Sequence, residues 1–579
     1  MIILFDISFV KVYNKLIFDY NRRIDMKNIV FITADQLGAA FVGCYGSGVD
    51  STPTLDSLAY DGVRFDRCYA TNPVCAPNRS TMLTGRCDEI TGICDNNLHL
   101  PDDIPTIAHV LSQAGFYTGA FGKYHQTPMQ FPLPKDLSFL GFHESALTED
   151  TRLGQWLDEI RDNHPEYYDR ALATSWPMPY MAEYGENCED LRQKRIVAAK
   201  EHLAPRQTDK LRIMYESPLP AELCQTAWIT DKALDFIDRN ADKPFFCNVS
   251  YVDPHDPYDP PAPYSTMFSP EDMPEPIPKD WFENHWFDMH TKPFFVERIR
   301  DDMDAIKRLR ALYHGSIRYI DDQIARIVKL LKEKGIWENT VIIFTTDHGD
   351  MMLDHELITK GRMHYDTSTR CPLIVGGGAI QPRAHVSDRL TCTLDLCPTF
   401  CDLLHIIDRP LYEGKSFARI VNKELPENIV SRYTAYPDGR YEVKEIEKFE
   451  ERFRILEGGV RVTESEYKTL EYWDEITMQS SLALRSIITD DGYRLSVYAD
   501  GQIGELFDLK NDPTEQKNLY NDTKYTELKV SLLERHIKAF YRHIFLPNYR
   551  NLKYKNGQRW LDGMGFNYFP TFTLDKDRE

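Results

Sequence analysis

The hydrophobic positions of this chain form short apolar runs that alternate with segments of helical period. The runs have the length and composition of buried parallel strands, and they lie at residues 29–33, 117–121, 245–251, 341–346 and 372–375. Amphipathic segments lie between them, at residues 104–114, 226–240 and 303–334, and the last is expected to contain two helices. Strands that alternate with helices predict an α/β fold with a doubly wound, mostly parallel sheet flanked by helices.

The pattern changes near Ala483, where short alternating runs replace the strand and helix repeats. Residues 485–488, 493–498 and 506–509 have the period of hairpin strands, and residues 525–543 have that of a helix. We therefore expect a catalytic α/β domain at 26–430 and a smaller C-terminal subdomain at 480–579, an antiparallel sheet plus helix that packs on the first domain. Residues 1–25 are expected to be an extension or the result of a misread start codon.

Two stretches within the first domain lack strand-like runs. Residues 151–224 are rich in charged and aromatic side chains, and residues 259–300 are rich in proline, tryptophan and phenylalanine. We expect both to be long excursions over the rim of the sheet, where substrate specificity usually resides.

Polar residues of unusual type follow the predicted strands. They are Asp35-Gln36, Lys123-Tyr124-His125, Asp253-Pro254-His255 and Asp347-His348. In doubly wound sheets, ligands bind beyond the carboxyl ends of the strands, so these residues are expected to meet in one pocket.

Composition limits the partners and the location of the protein. The net charge of −21 and the pI near 5.3 argue against a nucleic acid or an anionic membrane surface as partner. No apolar stretch is long enough to span a membrane, and no signal-peptide core appears, so a cytoplasmic location is expected. The 12 cysteines show no CxxC pair or zinc-finger spacing, and only Cys75 lies in a context that indicates chemistry.

That context is the segment CAPNRSTMLTGR at positions 75–86. It resembles the sulfatase signature C-x-P-S-R-x-x-x-L-T-G-R and departs from it only at Asn78. The chain is thus similar to the formylglycine-dependent sulfatases of the alkaline phosphatase superfamily, over about residues 26–544. The resemblance implies a hydrolase of sulfuric esters in which a maturation enzyme oxidises Cys75 to formylglycine (3-oxoalanine). The residues after Cys75 suit a helix, whose amino end favours negative charge near the nucleophile.

The same resemblance implies a divalent metal site. Its two loops correspond to Asp35-Gln36 and Asp347-His348, so that Asp35, Gln36, Asp347, His348 and modified Cys75 are the implied ligands. Oxygen ligands suit Ca²⁺, whereas the histidine nitrogen keeps Mn²⁺ or another transition metal as an alternative.

Further catalytic residues follow from family stretches. The segment GFYTGAFGKYH at 115–125 implies that Lys123 and His125 contact formylglycine, and PHDPY at 254–258 implies that His255 faces the leaving group. The loop after the second metal pair supplies Lys360 as the implied sulfate-binding lysine.

These roles combine into a mechanism. Arg79, Lys123, Lys360 and the cation are expected to stabilise charge on the sulfate oxygens. Asp347 accepts the proton of the attacking hydroxyl, and His255 protonates the departing alcohol. His125 then takes the proton of the remaining hydroxyl, which releases sulfate.

The substrate and two rival functions stay open at this stage. Trp281 and Trp286 are candidate substrate-binding residues, because aromatic rings stack on sugars, and they favour a sulfated carbohydrate, although each could equally anchor a long loop. His364 is a further candidate for substrate binding and could as readily hold its loop. One rival is a phosphonate monoester or phosphodiester hydrolase of the same superfamily, although Lys123 and His125 favour the sulfatase. The other is an unconverted, inactive homologue that binds anionic glycans.

Overall fold

The computed structural model describes most of the chain. The described residues are 27–94, 96, 98–128, 133–175, 189–205, 213–278, 299, 301–360, 363–380, 384–422, 431–435, 441–445, 453–458, 484–498, 504–545, 552–555 and 558–561. The predicted extension at 1–25 lies outside this set, as do Trp281 and Trp286.

A nine-stranded sheet organises the first domain. Its strands are β1 (Asn28–Ala34), β2 (Val63–Tyr69), β3 (Tyr117–Gly122), β4 (Glu144–Leu147), β5 (Phe245–Tyr251), β6 (Thr340–Thr346), β7 (Arg370–Gly376), β8 (His385–Ser387) and β9 (Thr391–Cys392). The order is β4-β3-β5-β1-β6-β7-β2-β8, with β9 also paired to β2. The strands from β4 to β6 pair in parallel, whereas β7 is antiparallel to both of its neighbours.

Because β7 reverses direction between β6 and β2, strand β2 again runs parallel to β1. Strands β1 to β6 therefore all end at one edge of the sheet, and β7 begins there. This edge gathers the polar residues that follow the strands.

Helices cover both faces of this sheet. The α-helices of the described residues are α1 (Pro53–Asp61), α2 (Cys75–Thr84), α3 (Asp88–Thr91), α4 (Ile107–Gln113), α5 (Gln155–Asn163), α6 (Tyr168–Thr174), α7 (Glu189–His202), α8 (Gln225–Arg239), α9 (Met303–Glu333), α10 (Asp366–Thr369), α11 (Leu396–Leu403), α12 (Ala418–Val421) and α13 (Thr526–Phe545).

Alternate residues of the central strands enter two separate cores. In β1, Val30 and Ile32 pack with α8 and α9, whereas Ile29 and Phe31 pack with α4 and α11 on the other face. A strand that is apolar on both faces reads as one continuous run, which is why these strands were visible in the sequence.

The second domain is built on an antiparallel sheet. Its strands are β12 (Phe453–Gly458), β13 (Leu484–Thr489), β14 (Tyr493–Tyr498) and β15 (Gly504–Asp508). Helix α13 covers one face, where Leu532 packs with Ile487 and Leu495. On the other face, Leu484 and Phe507 pack against the loop that follows β6. Shorter pairs join β10 (Ser431–Ala435) to β11 (Tyr441–Glu445) and β16 (Leu552–Lys555) to β17 (Gln558–Leu561).

The α/β fold with a smaller antiparallel subdomain is confirmed, with corrections. The run at 372–375 is a strand, but the prediction that it is parallel is wrong. The segment at 303–334 forms one helix rather than two, because no residue within Met303–Glu333 interrupts it. The excursion at 151–224 contains helices α5, α6 and α7, and strand β12 lies ahead of the predicted boundary at residue 480.

The helix predicted at 104–114 begins only at Ile107. Thr106 accepts a hydrogen bond from the backbone of His109, whose side chain in turn accepts one from the backbone of Thr106. This capping box fixes the start of α4.

Among the described residues, no helix combines the length and apolarity needed to cross a membrane.

Candidate active site

Cys75 occupies the first turn of α2, directly beyond the carboxyl end of β2. Its side chain is fully buried, at 0% exposure. The loops after β1 and β6 reach the same point, because both strands end at this edge of the sheet. The nucleophile position and the two predicted metal loops are therefore brought together.

Four potential ligand atoms surround one point beside Cys75. Cys75 Sγ lies 3.2 Å from His348 Nε2 and 3.8 Å from Asp35 Oδ1. His348 Nε2 lies 3.7 Å from Asp35 Oδ1 and 3.8 Å from Asp347 Oδ1. Neighbouring ligands of a single cation with bonds of about 2.0–2.6 Å are spaced in this way. Asp35, Cys75, Asp347 and His348 therefore form a possible buried metal site.

The orientation of His348 agrees with a ligand role. Its Nδ1 donates a hydrogen bond to the backbone oxygen of Gly349 at 3.0 Å. This contact places the proton on Nδ1 and leaves the lone pair of Nε2 directed at the cluster.

Gln36, the fifth predicted ligand, has hydrogen-bond partners for both polar atoms of its side chain. Its amide nitrogen donates to Asp350 Oδ2 at 2.6 Å, and its amide oxygen accepts from Lys360 Nζ at 2.7 Å. Its backbone N–H donates to Asp347 Oδ1 at 3.1 Å. In this arrangement Gln36 connects the first metal loop to the second and to Lys360.

Arg79 binds the carboxylates of the metal site. Its Nε donates to Asp347 Oδ2 at 2.7 Å, and its Nη2 donates to Asp35 Oδ2 at 3.0 Å. Its Nη1 donates to the backbone oxygen of Lys123 at 2.9 Å and to Ser250 Oγ at 2.7 Å. With 3% of its side chain exposed, Arg79 commits four of its five N–H donors to these contacts, which hold the metal ligands, and its contact with sulfate stays a prediction.

Lys123 is buried between two carboxylates, those of Asp35 and Asp150. Burial and Cys75 raise the pKa of Asp35, but Lys123 and Arg79 outweigh them and hold it below its usual range. Burial likewise raises the pKa of the Cys75 thiol, while Lys123, Lys360 and His348 bring it well below its usual value. The field at residue 75 thus favours a negatively charged oxygen or sulfur.

His125 is held in a strained backbone conformation beside Cys75. Its φ is +52°, and its N–H donates to Glu149 Oε1 at 2.9 Å. The ring is 1% exposed, and its interaction with the Cys75 side chain adds to the effect of Lys123, Lys360 and His348 in lowering the pKa of that thiol. A buried imidazole that contacts residue 75 is placed to exchange a proton with it.

His255 and Lys360 form a directly bonded pair on the other side of the pocket. Lys360 Nζ lies 2.5 Å from His255 Nε2, and His255 Nδ1 donates to the backbone oxygen of Asp256 at 2.7 Å. Burial and Lys360 lower the pKa of His255, but Asp256 and Asp150 raise it to about 9. With this pKa His255 is protonated near neutral pH, and its Nε2 proton is poised for transfer to a neighbouring oxygen.

Asn78, the one departure from the family signature, ties α2 to its surroundings. Its Nδ2 donates to the backbone oxygen of Asp347. Its Oδ1 accepts from Thr71 Oγ1 at 3.0 Å and from Thr393 Oγ1 at 2.6 Å. The longer amide side chain therefore links the second metal loop to the nucleophile helix.

Two acidic residues at the site were missed by sequence reasoning, namely Glu149 and Asp150. Both follow β4, an edge strand of only 4 residues, in the way that the predicted site residues follow their own strands. The short apolar run Ala146-Leu147 was too weak a signal to mark that strand end.

His364 does not join the cluster. It is buried, and its Nδ1 hydrogen-bonds Ser486 Oγ of β13 at 2.7 Å. The adjacent Tyr365 packs against Phe507 of β15. The predicted role in substrate binding is therefore replaced by a structural role between the two domains. Trp281 and Trp286 fall outside the described residues.

Comparison with known proteins agrees with this geometry. The family model for sulfatases matches residues 27–406. An arylsulfatase of Clostridium perfringens is 29% identical over 72% of this chain and 81% of its own length. An N-acetylglucosamine-6-O-sulfatase of Bacteroides thetaiotaomicron is 22% identical over 88% of this chain and 85% of its own.

A solved structure confirms the fold. The phosphonate monoester hydrolase of Agrobacterium radiobacter superposes with a TM-score of 0.68 at 23% identity, and the match covers 93% of this chain and 99% of that one.

Proposed function

Since the chain belongs to the sulfatase family, with 27–406 matched, we propose that it hydrolyses sulfate esters of a carbohydrate using a formylglycine made from Cys75 and a divalent cation. The observation that carries the proposal is the position of Cys75 Sγ. The sulfur lies within 4.8 Å of ligand atoms of Asp35, Asp347 and His348, and also within 4.8 Å of Asp150 and His255. The side chain thus borders a metal site and a proton donor at once.

The cation and formylglycine supply complementary chemistry. A cation would stabilise negative charge on sulfate oxygens, and a hydrated aldehyde would offer one hydroxyl for attack on sulfur and a second whose loss of a proton expels sulfate and restores the aldehyde. The donor set of two carboxylates, one imidazole and residue 75 suits Ca²⁺, with Mn²⁺ as the alternative.

The other side chains move protons and fix geometry. Asp35 and Asp347 both reach within 4.8 Å of the Cys75 sulfur, and we assign proton removal from residue 75 to Asp347. His255, bonded to Lys360, gives its proton to the departing alcohol oxygen. His125, whose ring interacts with the side chain of residue 75, takes the proton that accompanies sulfate release.

Two observations favour a sulfate ester over a phosphonate ester. Lys123 is bound to the metal carboxylate Asp35, and it is the group that lowers the pKa of Cys75 most. His125 lies beside the same residue. This lysine and histidine pair is the arrangement that the sequence resemblance associates with sulfatases. The carbohydrate class is supported by the N-acetylglucosamine-6-O-sulfatase among the relatives.

Mass analysis of the Cys75 peptide, followed by rate measurements, tests the proposal. The full chain is co-expressed with a formylglycine-generating enzyme and assayed for sulfate release from an aryl sulfate and a panel of sulfated saccharides. We expect conversion of Cys75, activity on both substrate types, and loss of activity in Cys75→Ala. Cys44→Ser is the matched control, because Cys44 is half-buried and bound near Asp56, outside the cluster.

Two results would contradict the proposal. Faster hydrolysis of an aryl phosphonate than of every sulfate ester would favour the phosphonate hydrolase. An unconverted Cys75 with no turnover, but with retained binding of sulfated glycans, would favour the inactive binding protein.

A further inference from the structure

Asp150 introduces a negative charge where the substrate anion has to bind. Its carboxylate lies within 4.8 Å of Cys75 Sγ and of a ring nitrogen of His255, and Asp150 Oδ2 is 4.0 Å from His255 Nε2. The nucleophile and the leaving-group acid flank the sulfate during the reaction. Asp150 therefore borders the space between them.

The carboxylate is buried and ionised. The Asp150 side chain is 8% exposed, and it contacts Lys123 Nζ. Burial raises the pKa of Asp150, but Lys123 and His255 lower it to a net value below the usual one. A fixed negative charge in this position is costly unless it has a counterion, which Lys123 provides.

The position of Lys123 shows how Asp150 changes the net charge around the sulfate pocket. Lys123 lies between Asp35 and Asp150, so its one positive charge faces two carboxylates. Arg79 is likewise occupied by Asp35 and Asp347. With an uncharged residue at 150, Lys123 would add positive charge to the sulfate pocket. Asp150 removes that contribution.

We propose that Asp150 is a specificity-determining residue that makes the site favour singly charged sulfate esters over doubly charged anions. This inference rests on the proposed function, since it concerns the same pocket. A sulfate ester carries one negative charge, whereas a phosphate monoester carries close to two above its second pKa near 6. The product, inorganic sulfate, also carries two charges, so the same repulsion assists its release.

The size of the effect follows from Coulomb's law. At about 5 Å and an effective dielectric constant of about 20, the Asp150 carboxylate repels one additional unit charge on the anion. This repulsion alone would raise the dissociation constant of that anion roughly a hundredfold or more. Lys123 screens part of this repulsion. A discrimination of about tenfold or more is expected after screening.

Two anions of the same shape and different charge provide the test. Benzenesulfonate carries one charge, and phenylphosphonate carries two at about pH 8.5. Their dissociation constants are measured by titration calorimetry on the calcium-loaded full-length enzyme. The quantity of interest is the phosphonate constant divided by the sulfonate constant. Asp150→Asn is expected to lower this ratio about tenfold or more, whereas Asp150→Glu, which keeps the charge, leaves it near the wild-type value.

A control separates the local charge from the total charge. Asp158→Asn makes the same change in net charge on an exposed position of α5, where the side chain is 53% exposed, and the ratio should not move. If Asp150 served only to shape the pocket, Asp150→Asn would change both constants by the same factor. An unchanged ratio in Asp150→Asn overturns the proposal.

Two further measurements keep the inference testable. Asp150→Ser is a second neutral variant in case the amide does not fold. If neither folds, tighter binding of phenylphosphonate than of benzenesulfonate by the wild-type enzyme counts against the proposal, and the reverse order supports it. Because binding of these anions needs no turnover, failure of this inference is distinguishable from failure of aryl sulfate hydrolysis, which tests the proposed function.

Discussion

Glu149 offers a direct test of how the site holds His125. Its Oε1 accepts hydrogen bonds from the backbone N–H groups of Tyr124 at 3.1 Å and His125 at 2.9 Å. These two bonds hold the backbone of His125 at φ +52°, a conformation that costs a non-glycine residue of order 1–3 kcal/mol. We expect Glu149→Ala to release His125 from its position beside Cys75.

The magnitude follows from the bonds that are lost. Each buried donor left without an acceptor costs about 1–3 kcal/mol, so Glu149→Ala should lower the free energy of unfolding by roughly 2–6 kcal/mol. Glu149→Gln keeps an acceptor oxygen without its charge, and charged hydrogen bonds are about twice as strong as neutral ones, so about half of that loss is expected. Because burial raises the pKa of Glu149, its ionised carboxylate carries a desolvation cost that the amide does not. The loss in free energy of unfolding for Glu149→Gln should therefore lie at the lower end of this range.

The effect on turnover should be specific to one step. A displacement of a catalytic group by about 1 Å costs about a hundredfold in rate. We assigned to His125 the proton transfer that accompanies sulfate release, which follows departure of the alcohol. In rapid-mixing experiments with an aryl sulfate, Glu149→Ala should therefore release one equivalent of phenol quickly and then turn over slowly, with kcat reduced more than kcat/KM.

The matched control is Glu144→Gln on β4, whose carboxylate binds the half-exposed Arg239 at 2.7 Å. Its stability should change by at most about 1 kcal/mol, with unchanged kinetics. The reasoning is refuted if Glu149→Ala folds with wild-type stability and keeps its wild-type kcat.

Three further predictions concern the metal, the family signature and acid stability. Removing the cation with a chelator should lower the melting temperature, since metal at about a hundred times its Kd contributes about 2.7 kcal/mol to the stability of the folded chain. In His348→Ala, the melting temperatures with and without the chelator should be equal. Serine is the usual family residue at position 78, but it is too short to bridge Asp347 and Thr393. Asn78→Ser should therefore lower the free energy of unfolding by roughly 2–4 kcal/mol in denaturant titrations. Equal stability of the two proteins would contradict the assigned hydrogen bonds. Burial lowers the pKa of His364 to about 3 from an ordinary value of 6.5, so between these pH values the unfolded chain binds one proton more than the folded chain. The free energy of unfolding should therefore fall by about 1.4 kcal/mol for each unit of decreasing pH. The Glu and Asp residues of the chain also contribute to the measured slope, and His364→Gln should reduce it by the histidine's share of about 1.4 kcal/mol per unit.

Several parts of the fold and the site were determined by local sequence. Strands β1, β5 and β6 are buried on both faces and therefore appear as continuous apolar runs. The polar residues that end them, such as Asp35 and Asp347, meet because parallel strands place their carboxyl ends at one edge. Cys75 was identified by its signature, a contiguous run of residue types that is readable without the tertiary structure.

Other features depended on contacts between distant segments. The direction of β7 is set by its pairing with β6 and β2, which leaves no trace in its own apolar run. Helix α9 has buried residues along its length, from Ala305 to Leu331, and tertiary burial decides its continuity more than local propensity does.

The charge assignments within the site belong to the tertiary structure alone. Sequence reasoning directed Arg79 to the substrate, but its guanidinium binds Asp35 and Asp347, which lie 44 and 268 positions away in sequence. Asp150 escaped notice because its strand is short, and its effect on Lys123 exists only where both are buried together. A residue type specifies which charge is available, whereas the distance to its counterion, and hence its energy, is decided by the fold.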